Sequence, residues 1–290
     1  MLRIKFIPGR HLADSLVLRN PLLRQRPNVK YILMKQLLTL LIGLFWTATV
    51  YADCAGAGLS VFPNGKSINQ NSIFVLTGYA ESQHVILGLN TKHAIYLKSG
   101  NKKIKLLVTE VCVGQFYLTQ AVLKPETALE PGLEYTMFID SLPEYERFEK
   151  YNRTTQEYEP VRYTVVEEID NEKPKLSEKP KELKKTLVYY GCEPSIHVVF
   201  SNPAKDNSDV IVKTTVKNSK TGKETTYYIE PEEDKIKVGH GMCSGAFVFD
   251  DSKHYEVEFS FMDSAGNLTS WIGDRIMFTK PTEQTDYKDE

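Results

Sequence analysis

The stretch Gly241-Met242-Cys243-Ser244-Gly245, with His240 directly before it, has the residue types of a nucleophile elbow, Gly-x-nucleophile-x-Gly. A cysteine at its centre would attack a carbonyl carbon after the histidine had taken its proton. The elbow requires a strand, a sharp turn and then a helix, but residues 246–249 have the apolar pattern of a strand. We therefore predict a disulfide at Cys243, no catalytic residue, and a protein that is not an enzyme.

The other groups that could catalyse or bind a metal are scattered along the chain. The six histidines form no His-x-His or His-x-x-x-His pair, and the four cysteines form no Cys-x-x-Cys pair. The acidic runs Asp250-Asp251 and Glu232-Glu233-Asp234 fall in predicted turns, where solvated carboxylates are usual. We predict no metal site and no cofactor, and keep a periplasmic metal carrier as a minor alternative.

The N-terminal region has the pattern of a secretory signal peptide. Residues 37–50 form an uncharged apolar run that follows Lys35 and precedes Tyr51-Ala52. This run is shorter than the roughly 20 residues needed to span a membrane. We predict that residues 34–52 are the signal, cleaved after Ala52, that residues 1–33 are an upstream extension not belonging to the protein, and that the mature chain is secreted or periplasmic with no transmembrane segment.

A short motif recurs around two of the cysteines. Residues 111–118 and 242–249 both read Cys-x-Gly-x-Phe-x-apolar, and a Tyr-led alternating segment follows each copy. The repeat predicts one β unit used twice and therefore two domains. Export makes disulfides the expected state of all four cysteines. If each unit holds its own pair, the pairs are Cys54 with Cys112 and Cys192 with Cys243, which enclose loops of similar length.

Apolar and alternating segments between turn signals predict the strands of both units. In the first they are 72–79, 94–98, 103–108, 111–118, 135–139 and 161–166, and in the second 195–200, 210–216, 224–229, 242–249, 255–261 and 275–279. A glycine-containing turn joins two strands into a hairpin at the corresponding place in each unit, at 99–101 and at 218–222.

Three stretches carry a family resemblance. Residues 263–269 read Asp-x-Ala-Gly-Asn-x-Thr, which resembles the strand-end turn of bacterial Ig-like and fibronectin type III-like modules. The turn at 63–65 before a buried strand resembles their opening, and Pro131-Gly132 before Tyr135 resembles the entry to their penultimate strand, where the tyrosine anchors a corner. The resemblance implies an all-β protein of two Ig-like antiparallel β-sandwich domains in tandem, at 53–168 and 186–280, with a linker at 169–185 and a flexible tail at 281–290.

Residues 141–159 separate two predicted strands by more than the 2 to 5 residues usual in a hairpin. Tyrosine and arginine, which are frequent in binding loops, are concentrated here. A solvated excursion, or a short helix that packs its aromatics over its own sheet edge, is the more frequent arrangement of such a loop. The candidate binding residues are Tyr145, Arg147, Phe148, Tyr151, Arg153 and Tyr158.

These patterns indicate a secreted or periplasmic, non-catalytic binding or structural module. Its partner would be an unknown protein or glycan, recognised through the 141–159 loop or through an exposed sheet edge. The net charge of −1 gives no reason to expect nucleic acid as a partner. The main alternative is a polysaccharide-active enzyme or an enzyme-accessory module that stacks sugars on aromatic faces.

Overall fold

A computed structural model describes residues 30, 34–37, 54, 56–152, 154–190, 193–250 and 252–286. Residues 1–52 form one unit, of which Lys30 and residues 34–37 are described, and these are helical. Most of the predicted signal peptide therefore lies outside the described residues, as do Arg153 and Cys192. In the described ranges, no helix combines the length and the apolar character needed to cross a membrane. Residues 53–290 form the second unit.

The second unit is built almost entirely from antiparallel β-strands, which confirms the predicted all-β sandwich class. We call β1–β10 the N-terminal half and β11–β20 the C-terminal half. The elements are β1 (Ala57–Phe62), β2 (Ser67–Ile68), β3 (Phe74–Ala80), α1 (Gln83–Leu87), β4 (Ile95–Ser99), β5 (Lys102–Val113), β6 (Leu118–Pro125), β7 (Glu134–Ile139), β8 (Glu149–Asn152), β9 (Glu157–Pro160), β10 (Arg162–Val165), β11 (Lys175–Leu176), β12 (Glu182–Tyr189), β13 (Pro194–Ser201), β14 (Ala204–Lys205), β15 (Val210–Asn218), β16 (Glu224–Ile229), β17 (Lys235–His240), β18 (His254–Asp263), β19 (Leu268–Ser270) and β20 (Ile276–Thr279).

One long strand connects the two layers of the N-terminal half. The first residues of β5 pair with β4, and its later residues, from Leu106, pair with β6. The register shifts between Val108 and Glu110, and such a bulge bends a strand. The sheet order is therefore β1-β3-β6-β5-β4-β7-β10-β2, and the two layers enclose a core that includes the buried rings of Phe74 and Tyr163.

In the C-terminal half, a three-stranded sheet packs against a larger one. The first has the order β12-β13-β17, and the second has the order β16-β15-β18-β19 with β20 also paired to β18. Phe200 of the smaller sheet contacts Phe259 and Phe278 of the larger one. Within the predicted flexible tail, the Thr285 amide donates a hydrogen bond to the Leu187 carbonyl of β12 at 2.9 Å.

Both predicted hairpins are confirmed. Gly100 joins β4 to β5 with a φ of +54°, and Gly222 lies between β15 and β16 with a φ of +72°. Glycine adopts these left-handed conformations without the steric cost that a Cβ brings. The predicted tyrosine corner is present as well, because the Glu130 amide lies 3.5 Å from the Tyr135 hydroxyl oxygen that accepts its hydrogen.

The second copy of the cysteine motif is not a strand, so the strand predicted at 242–249 is wrong. These residues lie in the connection between β17 and β18. Gly245 packs so closely on β17 that a Cβ there would lie 2.1 Å from the Cβ of His240. The chain instead forms an isolated antiparallel bridge to Phe116 of the first copy, with N···O distances of 3.0 and 2.8 Å. The two copies therefore contact each other instead of occupying equivalent places.

The disulfide pairing predicted from the repeat is also wrong. Cys54 is bonded to Cys243, with their Cα atoms 5.8 Å apart, and Cys112 is a buried free thiol. The Cys112 side chain, on the part of β5 that pairs with β6, packs in the core among residues of both halves. The Cys54–Cys243 bond links the residue ahead of β1 to the β17–β18 connection.

The segment at 169–185, predicted as a linker, makes specific contacts with both halves. The Asp170 carbonyl accepts hydrogen bonds from the side-chain amides of Asn71, at 2.6 Å, and Asn267, at 3.1 Å. Further along, β11 pairs with β14, and β12 already begins at Glu182. The Asp-x-Ala-Gly-Asn turn of the family resemblance thus helps to hold this segment.

The two halves share a continuous apolar core and a buried polar contact. Gln120 of β6 accepts a hydrogen bond from the Tyr228 amide at 3.0 Å and donates one to the Tyr228 carbonyl at 2.9 Å. Beside it, Glu110 of β5 binds the Lys213 ammonium at 2.7 Å and accepts a hydrogen bond from the Tyr228 hydroxyl at 2.8 Å. Gln120 thereby pairs two backbone groups on the edge strand β16.

Candidate functional site

The predicted binding loop is a β-ribbon, neither a helix nor an irregular excursion. Its strands β8 and β9 pair only with each other, and Tyr151 lies directly opposite Tyr158 with ring centroids 5.2 Å apart. The exposed fractions of Tyr145, Tyr151 and Tyr158 are 56%, 49% and 65%. Arg147 is exposed as well. We call residues 144–160 the tyrosine ribbon.

The base of the ribbon is fixed to the N-terminal half. Glu146 is buried and accepts a hydrogen bond from the Ser82 hydroxyl, whose oxygen in turn accepts one from the Gly58 amide at 2.8 Å. Phe148 is partly buried against the core, so among the six predicted binding residues it supports the ribbon instead of facing solvent. The ribbon is therefore a projecting element with a rigid attachment.

A second attachment holds the side of the ribbon. The Lys150 ammonium donates a hydrogen bond to the Asn64 carbonyl at 2.7 Å, and the Asn64 side-chain amide bonds to Glu230 at the end of β16. Burial lowers the pKa of Lys150, although the nearby carboxylates of Glu230 and Asp209 act in the opposite direction. Burial likewise raises the pKa of Glu230. No local pattern indicates this contact, because its residues come from three segments that are far apart in the sequence.

The tip of the ribbon is closed by a side chain. The Asn152 carboxamide oxygen accepts the Thr154 amide at 2.9 Å, and its nitrogen donates to Glu159 at 2.7 Å. Gln156 completes the turn with a φ of +59°. This local network orders the strands next to the paired tyrosines. The ribbon thus presents two aromatic rings and their hydroxyls from a preformed backbone, an arrangement suited to binding.

The cysteine and histidine that resemble a nucleophile and its base are not arranged for catalysis. The Cys243 sulfur is held in the bond to Cys54, and the Nδ1 atom of His240 lies 3.0 Å from the Gly241 carbonyl oxygen. The free thiol of Cys112 is buried, and this burial raises its pKa to about 12. A thiol with such a pKa is protonated at neutral pH and is a poor nucleophile.

Three carboxylates from separate segments meet near the 169–185 segment. The oxygens of Asp170, Asp206 and Asp263 lie within 4.8 Å of one another. Asp263 is fully buried, and burial raises its pKa against the effect of hydrogen bonds from Asn267 and Ala265. Oxygen donors suit Ca²⁺ or Mg²⁺ better than copper or zinc, so this group gives no support to a copper or zinc carrier. Sequence spacing missed it because the fold brings the three together.

No protein-family model matches this sequence, and no curated protein is detectably similar to it. Similar solved structures include the pullulanase of Anoxybacillus sp. LM18-11 complexed with maltotriose, at 10% identity and a TM-score of 0.23, covering 73% of this chain and 25% of that chain. A chain of a cytokine receptor complex shows 10% identity, a TM-score of 0.24 and coverage of 78% and 98%. The tandem Ig repeats of Dlar show 9% identity, a TM-score of 0.22 and coverage of 75% and 95%.

This chain spans about a quarter of the length of the pullulanase structure. TM-scores of this size support no assignment of activity or partner, so the function must be inferred from the residues themselves.

Proposed function

We propose that this chain is an exported, non-catalytic binding module that recognises a protein or a glycan through the tyrosine ribbon. The observation that carries this proposal is the exposure of Tyr145, Tyr151 and Tyr158 on a ribbon whose base and side are hydrogen-bonded to the sandwich. Tyrosine buries a large area at a low entropy cost, and a preformed ribbon loses little freedom on binding.

Two further features support the proposal. The Cys54–Cys243 disulfide fits an oxidising compartment, as does the predicted signal peptide. The groups that resemble catalytic residues are bonded, buried or hydrogen-bonded within turns, which favours binding over turnover.

The test is to replace Tyr151 and Tyr158 together by alanine and to measure capture of partners by the mature protein. Truncating an aromatic hot spot costs about 2 kcal/mol of binding, which is roughly a thirtyfold loss of affinity. Tyr189→Ala is the matched control, since this tyrosine is 61% exposed on β12, outside the ribbon. The control should bind like the wild type.

The stability of the same variants separates binding from packing. Loss of one exposed cross-strand aromatic pair should lower the free energy of unfolding by no more than about 1 kcal/mol. A much larger loss would show that the rings belong to the core and would contradict the proposal. A glycan array distinguishes the two partner classes, and turnover of any glycan by the purified protein would establish the enzyme alternative instead.

A further inference from the structure

A groove lies between the two halves, outside the tyrosine ribbon. The groove has a volume of about 720 Å³, within the range of ligand-binding sites. One wall is residues 110–115, at the end of β5, and the other is residues 223–226, at the start of β16. Its buried lining residues include Val216 and Phe247.

The β5 wall is an open sheet edge. The Gly114 amide donates to the Leu118 carbonyl at 2.8 Å, which fixes the phase of the β5–β6 ladder. Because hydrogen-bonded and non-hydrogen-bonded pairs alternate in an antiparallel ladder, the amide and carbonyl groups of Val111 and Val113 point away from β6. The next outward group, the Gln115 amide, is already paired with the Ala246 carbonyl at 3.0 Å. The Gln115 amide is therefore bonded to the C-terminal half, whereas among the described residues the outward groups of Val113 have no backbone partner.

The β16 wall is an open edge of the same kind. The Asn218 amide donates to the Lys223 carbonyl at 2.9 Å, so the outward groups of β16 are those of Glu224, Thr226 and Tyr228. Gln120 occupies both outward groups of Tyr228. Among the described residues, no hydrogen bond is made to the outward groups of Glu224 or Thr226. Each wall thus has its outward backbone groups hydrogen-bonded at one end, at Gln115 or at Tyr228. Among the described residues, the outward groups along the rest of the groove have no such partner.

The side chains on the open part of β5 are apolar and exposed. Val111 and Val113 are 44% and 57% exposed, although they lie opposite the buried Ala121 and Thr119 of β6. Edges that face solvent are usually blocked by charged residues, proline or a covering segment. Apolar side chains and unpaired backbone groups together are the chemistry that recognises an added strand.

We propose that the groove binds one extended peptide segment of a partner protein, which adds a strand along β5 and β16. Strands wall the groove on both sides, so we take a single extended chain as its occupant. The carboxylates that line the groove are already engaged. Glu110 is paired with Lys213 and Glu224 with Arg275, and the Asp250 carboxylate accepts hydrogen bonds from Asn218, Ser252 and Tyr255. In the described part of the chain no carboxylate forms an ion pair with Lys223. An alternating apolar segment with one acidic side chain at Lys223 complements these walls.

The experiment selects phage-displayed random peptides of about ten residues on the mature protein and measures their affinities for variants. Val113→Pro removes one outward N–H without touching the β6 ladder, and Val113→Thr keeps that N–H with a similar shape. We expect alternating apolar peptides with an acidic residue to be enriched, to lose at least about tenfold in affinity with Val113→Pro, and to keep it within about threefold with Val113→Thr.

A measurement on the unaltered protein guards against a variant that fails to fold. Methylating every second backbone nitrogen of a selected peptide removes the N–H groups facing one wall and should weaken binding at least about tenfold. Equal binding of the methylated peptide or of folded Val113→Pro, or a failure to enrich any sequence, would overturn the proposal. Loss of peptide binding with Tyr151→Ala would also overturn the proposal. So would a wild-type dimer that Val113→Pro dissociates, because the groove would then hold a second copy of the chain.

Discussion

Replacing Gln120 by alanine should destabilise the whole second unit, because this side chain makes a buried polar contact between its halves. Gln120 is 4% exposed and satisfies both the amide and the carbonyl of Tyr228. A buried polar group left without a partner costs about 1 to 3 kcal/mol, so two such groups, partly relieved by water, cost about 3 kcal/mol. With a urea m-value of about 3 kcal/mol/M, the unfolding midpoint should fall by about 1 M.

Two variants sharpen this prediction. Gln120→Glu keeps an acceptor for the Tyr228 amide but places a carboxylate against the Tyr228 carbonyl, so at pH 7 it should be at least as unstable as the alanine variant. Gln70→Ala is the control, because its side chain donates one exposed hydrogen bond and should cost less than about 1 kcal/mol. The assay is urea unfolding followed by tryptophan fluorescence. An unchanged midpoint for Gln120→Ala would refute the role of this contact.

Three further outcomes are expected. Non-reducing peptide mapping should recover Cys54 linked to Cys243, and reduction should lower the free energy of unfolding by up to about 5 kcal/mol; recovery of a different pair contradicts the structure. Gly245→Ala should cost more than about 3 kcal/mol by calorimetry because its Cβ would strike β17, whereas Gly241→Ala, with 3.6 Å of clearance, should cost less than about 1 kcal/mol. Burial raises the pKa of Glu110, but hydrogen bonds from a lysine and a tyrosine outweigh it and lower the pKa below 4.5. The stability that wild type gains over Glu110→Gln should therefore be present above about pH 4.5 and disappear as the pH falls below it, and a gain that persists at pH 2 would be inconsistent with this.

Local sequence signals predicted about half of the strands, and the strand predicted at 111–118 instead spans the end of β5 and the turn into β6. The hairpins at Gly100 and Gly222 follow from glycine's access to positive φ, and the buried strand β3 follows from its apolar run. The tyrosine corner at Tyr135 could be predicted for the same reason, since its partner lies five residues away. Each of these features is decided within a few residues of chain.

Features decided by contacts between distant segments were not predictable. The repeat suggested that Cys243 lies in a strand and pairs with Cys192, but Gly245 packs on β17, and Cys243 meets Cys54 from the opposite end of the unit. The ribbon's support by Asn64 and the carboxylate group around Asp263 likewise bring together segments far apart in sequence. Similar motifs do not imply similar positions when tertiary contacts differ.

The most direct test of the central claim places a photo-crosslinking residue at Tyr158 of the protein in the cells that produce it. Mass spectrometry then identifies the attached molecules, and the same residue at Tyr189, which is exposed on β12 outside the ribbon and the groove, serves as the control. A reproducible adduct to one protein or glycan is expected at Tyr158 and is expected to be absent at Tyr189. The same adducts from both positions, or no adduct at Tyr158, would contradict recognition through the tyrosine ribbon.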